Sequence, residues 1–282
     1  MNRVTSVLII TRTKDRPELL VRALDSVDQQ SFSDYLHLVV NDGGNPDVLD
    51  AILAASPNDR RKVIHHPHSL GMEAATNSAL RAHQARYVVV HDDDDSWQPE
   101  FLSEAVGYLD GHEKETGVVC NIQQVFEKVE EGRVTTLSSR PFNPAVAHFL
   151  RDDFFVANQF VPIAFLYRYA VHDEIGLYDE RLRVCGDLDF HIRLLQRHSI
   201  GKLPGFLANY HIRVATPVPT LSNSVSDKAK HLHFAQQVIE AHDQRTLLQR
   251  MCSWWRVRLW YRAKNLLLRF CFRLNQGRAS GA

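Results

Sequence analysis

Four consecutive aspartates, Asp92 to Asp95, follow the apolar run Tyr87-Val88-Val89-Val90 and precede Trp97 and Pro99. Carboxylates repel one another, so a run of four ordinarily sits in a solvated acidic tail. Placed at the end of a β-branched strand, it points instead to a built cation site. Hard oxygen donors suit Mg²⁺ or Mn²⁺ rather than a thiolate-loving metal. These cations usually take one or two protein carboxylates and complete their shell with water and substrate phosphate. The first expectation is therefore a phosphate-bearing substrate.

Such a run needs a frame. Ser6-Val7-Leu8-Ile9-Ile10 reads as a buried strand, and Asp15-Arg16-Pro17-Glu18 opens a helix with Pro and an acid in its first turn. Leu19, Leu20, Ala23, Leu24 and Val27 give that helix one apolar face. A second strand, Leu36 to Val40, ends at the turn Asn41-Asp42-Gly43-Gly44. Helices at about 47–55 and 71–83 flank a short strand at Val63-Ile64, and the strand around Val88 follows. Alternating strands and helices predict an α/β fold, a Rossmann-like and mostly parallel sheet flanked by helices. Ligands bind beyond the carboxyl ends of such strands. Thr11, Asp42 and the aspartate run all lie at those ends. Further on, 118–128 and 134–137 read as a hairpin and 160–167 as another strand. Gly186-Asp187-Leu188-Asp189 precedes an amphipathic helix.

The chain has 282 residues, 44% hydrophobic and 23% charged, as expected of a large globular core. Its four cysteines, Cys120, Cys185, Cys252 and Cys271, form no C-x-x-C pair, so neither a zinc site nor a disulfide framework is implied. Asp15, Arg16 and Pro17 interrupt any leader-like apolar stretch. No run approaches about 18 apolar residues, the length that would suggest a bilayer span. The charge balance, 33 bases against 33 acids, conceals an asymmetry. From Gln244 onward there are nine Arg or Lys and no acid, which leaves 24 bases against 33 acids in 1–243. An acidic body with a basic tail suggests an anionic surface as partner.

Several ordered motifs across roughly 4–213 resemble the family 2 glycosyltransferases, which have a GT-A fold. They are Val7 to Thr13 with Arg16 to Leu20, Val39 to Gly44, Leu70 to Asn77, the D-x-D-like Asp92 to Pro99, and Gly176 to Leu182 followed by Gly186-Asp187. The resemblance implies a catalytic domain at 1–215, with a nucleotide-sugar half (1–115) and an acceptor half (116–215), and a helical tail at 216–282. It also implies roles. Asp42 would contact the nucleotide base with Thr11 nearby, and Asp93 would face the ribose. Asp94, with Asp92, would bind the Mn²⁺ or Mg²⁺ that bridges the diphosphate. Asp187 would be the catalytic base. His211 falls where some members place a metal-ligating or phosphate-binding His. Asn41 stands where many members have Asp. Gly186 stands where many have Glu, although a Gly-Asp pair also resembles a spore coat polysaccharide synthesis enzyme of this fold.

The expected chemistry is transfer of a sugar from a nucleoside-diphosphate donor, a UDP-sugar being favoured, to a glycan or lipid-linked glycan in surface polysaccharide synthesis. The metal would neutralise the departing diphosphate, and Asp187 would take the proton of the acceptor hydroxyl in a single inverting displacement. His65, His66 and His68 read as a solvated loop, and Trp97 as a core anchor. Asp189 reads as support for a neighbour. In the tail, about 247–274 reads as a helix with Arg258, Arg262, Arg269 and Arg273 in one stripe and aromatics around the rest. That combination fits an interfacial helix on anionic lipid, at the inner face of a cell membrane. The alternative is a helix packed on protein. Nucleic acid is not expected, because the acidic body would repel it. Two rival functions are a sugar nucleotidyltransferase, which should carry a Gly-rich loop where Thr11-Arg12-Thr13-Lys14 has no glycine, and a catalytically silent membrane-docked subunit.

Overall fold

A computed structural model describes residues 5–130, 133–142, 146–214, 221–223, 226–255 and 257–259. The first half alternates strand and helix as the sequence predicts: β1 (Val7–Thr13), α1 (Pro17–Asp28), β2 (Tyr35–Asn41), α2 (Pro46–Ala55), β3 (Arg61–His65), α3 (Met72–Ala82) and β4 (Tyr87–Val90). Pro17 opens α1, where its missing N–H has no partner to lose. The five apolar residues assigned to one face of α1 are all buried. The Asn45 side chain caps α2 by accepting from the Asp47 amide at 3.0 Å.

Strands β3-β2-β1-β4 form a parallel sheet. The second half is mixed. After β5 (Ser96–Trp97) and α4 (Phe101–Gly111) come β6 (Glu115–Glu130), β7 (Arg133–Pro141), α5 (Arg151–Phe154), β8 (Phe165–Arg168), α6 (Val171–Ile175), α7 (Gly186–Leu195) and β9 (Ser199–Arg213). β8 runs antiparallel to β4 and β6, and β5 antiparallel to β9, whereas β6 and β9 are parallel. The apolar stretch 160–167 is a strand only in its second part, because a 3-10 turn occupies Pro162–Ala164. Pro162 has no N–H to give a ladder.

The main core cluster joins the sheet to α3, α4 and α7 through Ile9, Ala79, Val89, Leu102 and Phe190. Trp97 is buried there as anticipated. It is stacked on Phe101 and donates Nε1–H to the Ile163 carbonyl at 2.7 Å. This core does not stop at 215. α8 (Lys228–His242) packs Val238 into it, and His242 Nε2 meets Asp189 Oδ1 at 2.8 Å. Residues 228–242, read as tail, thus belong to the same packed body. Among the described residues no helix is long and apolar enough to cross a membrane.

Candidate active site

The parallel strands deliver their carboxyl ends to one crevice of about 1120 Å³. Asp42, Asp92, Asp94 and Asp187 all line it. Four sequence positions spread over 146 residues are thereby brought to one cavity.

Asp42 arrives through the turn after β2. Gly43 has φ +76°, and a Cβ there would overlap the backbone of His68 and Ser69, so the turn presses flat against the 66–71 loop. That approach lets the Asp42 carboxylate accept from the amides of Leu70 (2.8 Å) and Gly71 (3.0 Å) and from Ser69 Oγ (2.6 Å). His66 Nδ1 lies 2.9 Å away and its Nε2 meets Ser78 Oγ at 2.9 Å. Burial pushes the Asp42 carboxyl up, but these hydrogen bonds outweigh it and hold the pKa below the usual value. His66 is therefore a buried partner of Asp42 rather than part of a solvated loop.

The aspartate run is neutralised from within. Arg12 pairs with Asp92, its Nε at 2.9 Å. Arg16 pairs with Asp93 and reaches Asp94 Oδ2 at 3.1 Å. Arg213, from the end of β9, closes on the same Asp94 oxygen. Asp95 accepts the His211 amide at 2.9 Å. Burial raises the Asp94 carboxyl, yet Arg16 and Arg213 prevail and its pKa is lowered. For Asp93 burial wins over Arg16 and the pKa is raised. Adjacent carboxylates thus have different environments, which the repetitive sequence conceals.

Three of the expected residues do not line the crevice. Thr11 is fully buried, with its hydroxyl 2.9 Å from His37 Nε2 inside the sheet, so its side chain does not reach the crevice. Thr13 lines the crevice instead. Asp93 is also fully buried, under Arg16, and does not line the crevice. His211 spends both ring nitrogens, Nδ1 on Glu127 Oε1 at 2.6 Å and Nε2 on Ser96 Oγ at 2.8 Å, leaving neither free to ligate a metal. Arg22 joins Glu127 from α1 at 2.6 Å, so His211 belongs to a buried polar network that ties β9 to α1.

Asp187 sits in the first turn of α7, directly after Cys185 (φ 66°) and Gly186. Burial raises its pKa, opposed by the Leu188 amide and by Asn158 Nδ2, which donates to Oδ2 at 2.7 Å. A carboxylate with raised pKa on a crevice wall is suited to accept a proton. Asp189 is bound to Arg193 and His242, in keeping with a supporting role. Glu73, on α3, was not singled out from sequence. It lines the crevice beside Arg12, and burial pushes its carboxyl up to about 7. The signal that would have found these partners was the basic set Arg12, Arg16 and Arg213, since four crowded carboxylates demand counter-charge.

Among the described residues no group of three or more His, Cys, Asp or Glu is disposed to hold a metal. Asp92 and Asp94 offer hard oxygen donors to the crevice, and Mg²⁺ or Mn²⁺ can be held by one or two carboxylates with substrate oxygens and water. The donor set fits that mode, with Arg16 as the group that would yield its place on Asp94.

The strand order, the crevice over the parallel strand ends and the mixed half that carries Asp187 define the GT-A class of fold. Residues 6–176 match the model of Glycosyl transferase family 2, and the chain belongs to that family. It is 26% identical over 199 residues to the uncharacterized glycosyltransferase YwdF of Bacillus subtilis, covering 70% of this chain and 71% of that one. S. aureus TarS 1-349 in complex with UDP-GlcNAc shares the fold, with a TM-score of 0.62 at 17% identity over 86% of this chain and 69% of that one. So does the mannosyltransferase PcManGT of Pyrobaculum calidifontis in complex with GDP-Man and Mn²⁺, with a TM-score of 0.59 at 14% identity over 88% of this chain and 67% of that one.

Proposed function

We propose that this glycosyltransferase moves a sugar from a nucleoside-diphosphate donor, a UDP-sugar being favoured, to a hydroxyl of a glycan or lipid-linked glycan, with inversion at the transferred carbon. The observation that carries the reading is the shared crevice, with Asp42, Asp92 and Asp94 at the strand ends and Asp187 on the α7 side. A donor laid along the strand ends would present its sugar toward Asp187. UDP-GlcNAc and GDP-Man in the two fold neighbours support the donor class.

Asp187 is the base: it accepts the acceptor proton while the new bond forms. Asn158 keeps its carboxylate oriented. Asp42 holds the 66–71 loop that borders the donor side. Asp94 and Asp92 would hold Mn²⁺ or Mg²⁺, which when bound supplies charge neutralisation for the departing diphosphate. Arg16 lines the same region and is a second source of positive charge there. Family membership favours this reading over a nucleotidyltransferase.

The C-terminal helix supports a peripheral membrane role. Its described part, 247–255 and 257–259, buries Ser253 and Val257 while Leu247, Leu248, Met251, Trp254, Trp255 and Leu259 are exposed. Arg258 lies over the Trp254 ring at 4.5 Å. One face meets protein and the other offers aromatic and aliphatic surface to lipid. Arg262, Arg269 and Arg273 of the predicted stripe lie outside the described residues.

A thermal-shift screen of UDP-, GDP- and dTDP-sugars, each with and without Mn²⁺, tests the donor assignment. A metal-dependent shift with one nucleotide class, followed by release of its diphosphate on adding acceptor glycans, is expected. No shift with any donor would point to a silent binding subunit.

A further inference from the structure

The first turn of α7 contains a gap that another helix fills. Gly186 has no side chain, and a Cβ built on it would overlap the carboxyl group of Glu73. Glu73 reaches this place from the first turn of α3. It is 3% exposed, and its Oε2 has no hydrogen-bond partner. Arg12 Nη1 faces that oxygen at 3.5 Å, and Arg12 is at the same time held by Asp92. α3 is fixed to the loop before α7 by Asn77, whose Nδ2 donates to the Tyr178 carbonyl and whose Oδ1 accepts the Tyr178 amide.

A buried carboxylate with an unsatisfied oxygen is an expensive way to fill space, and an apolar side chain would pack there at less cost. The carboxyl group therefore has a use beyond filling space. Arg12 also lies within electrostatic reach of Asp187, whose charged form it favours. Without Glu73, Arg12 would keep Asp92, the Met72 carbonyl and Thr76 Oγ1, and Asp187 would be the next carboxylate within its electrostatic reach. Pairing with Asp187 would neutralise the base and turn it from the crevice.

We propose that Glu73 is a positioning residue for the transfer step. Its carboxylate occupies, from α3, the place of a side chain that α7 lacks at Gly186, and it shares Arg12 with Asp92 so that Asp187 stays free to meet the acceptor. This rests on the reading of Asp187 as the base.

The experiment measures nucleoside-diphosphate release, donor affinity and Tm for the wild type, Asp187→Asn, Glu73→Gln, Glu73→Ala and Glu73→Ala/Gly186→Glu. The probe is whichever UDP-, GDP- or dTDP-sugar gives the largest thermal shift. Both Glu73 single variants should lose about 10- to 100-fold in kcat, the order expected when a reacting group is misplaced by about 1 Å, with donor affinity unchanged. The double variant should recover much of that loss, because the carboxylate re-enters the vacated space from α7. If Glu73→Ala does not fold, Glu73→Gln decides. Wild-type kcat in Glu73→Gln would mean that only the shape matters and would overturn the proposal. So would a folded double variant no faster than Glu73→Ala. An active Asp187→Asn overturns the base assignment and this proposal with it. An inactive Asp187→Asn beside a fully active Glu73→Gln overturns this proposal alone.

Discussion

Arg213 and Asp94 form a buried ion pair at the crevice wall across 119 residues of sequence. The Arg213 side chain is 0% exposed, and its Nε and Nη1 donate to the carbonyls of Leu221 and His211 at 3.0 Å each. The end of β9 is thereby locked to the loop after β4, and the mixed part of the sheet to its parallel part.

Arg213→Ala leaves Asp94 buried with Arg16 alone. Breaking a buried pair from one side costs about 3–5 kcal/mol. Urea unfolding should show a lower midpoint with an unchanged slope. Asp94 has a folded pKa lowered by Arg16 and Arg213 against the opposing effect of burial. A group of this kind contributes stability above its unfolded pKa and loses it as pH falls through the folded value. The stability difference between wild type and Arg213→Ala should therefore shrink as pH falls below about 4, the unfolded aspartate value. A constant difference down to the acid limit would show that the pair's charge is not what stabilises.

Asp94→Asn is predicted to remove Mn²⁺-dependent nucleotide binding. Carboxylates repel one another, so shedding one of four crowded ones would by itself relieve repulsion. With Arg16 and Arg213 on that carboxylate, neutralising it instead leaves Arg213 without its only carboxylate among the described residues and takes one of two from Arg16, so the variant should also unfold more easily, by about 1–3 kcal/mol. Calorimetry with nucleotide and Mn²⁺, paired with unfolding, separates the two effects. Unaltered Mn²⁺-dependent affinity would remove Asp94 from the metal site.

Asp187→Asn should bind donor and fail in transfer by roughly 10²–10⁴-fold, the usual contribution of a general base. The acid limb of kcat/KM in the wild type should fall above the ordinary aspartate value, since burial raises the Asp187 pKa. Asn158→Ala removes a hydrogen bond to the charged form, so its acid limb should move to still higher pH. A limb that stays fixed in Asn158→Ala would assign the titration to another group.

Ending the chain after Thr246 should preserve the folded body, because His242 on Asp189 and Arg245 on Asp243 remain. The shortened protein should no longer sediment with anionic vesicles. Each Lys or Arg near such a surface contributes on the order of 1 kcal/mol, and binding of the full chain should weaken as salt rises. Equal sedimentation of both proteins would mean that the helix serves packing on protein.

The parallel half of the fold was legible because its strands are short apolar runs and its helices carry one clear face. Asp42, Asp92 and Asp94 were legible by type and by position at strand ends, and Asp187 through the resemblance to the family 2 glycosyltransferases. What was hidden lay in pairings between distant segments. Arg213 on Asp94, Glu73 under Gly186 and His66 on Asp42 each join residues that no local periodicity connects. Thr11 was misjudged because its strand is buried on both faces, so alternation along it does not reveal which side chain meets the crevice. The 216–242 segment was read as tail because its pattern is weak, although α8 is held by contacts to α7.

The overlap between Glu73 and position 186 also orders the chain's mutational history and future. A side chain at 186 has room only if the Glu73 carboxyl moves away or is shortened, while shortening residue 73 first leaves Arg12 short of one of its two carboxylate partners. Either single change passes through a handicapped intermediate, so the two positions should drift as a linked pair, and descendants of this sequence should keep one carboxylate between them rather than two or none.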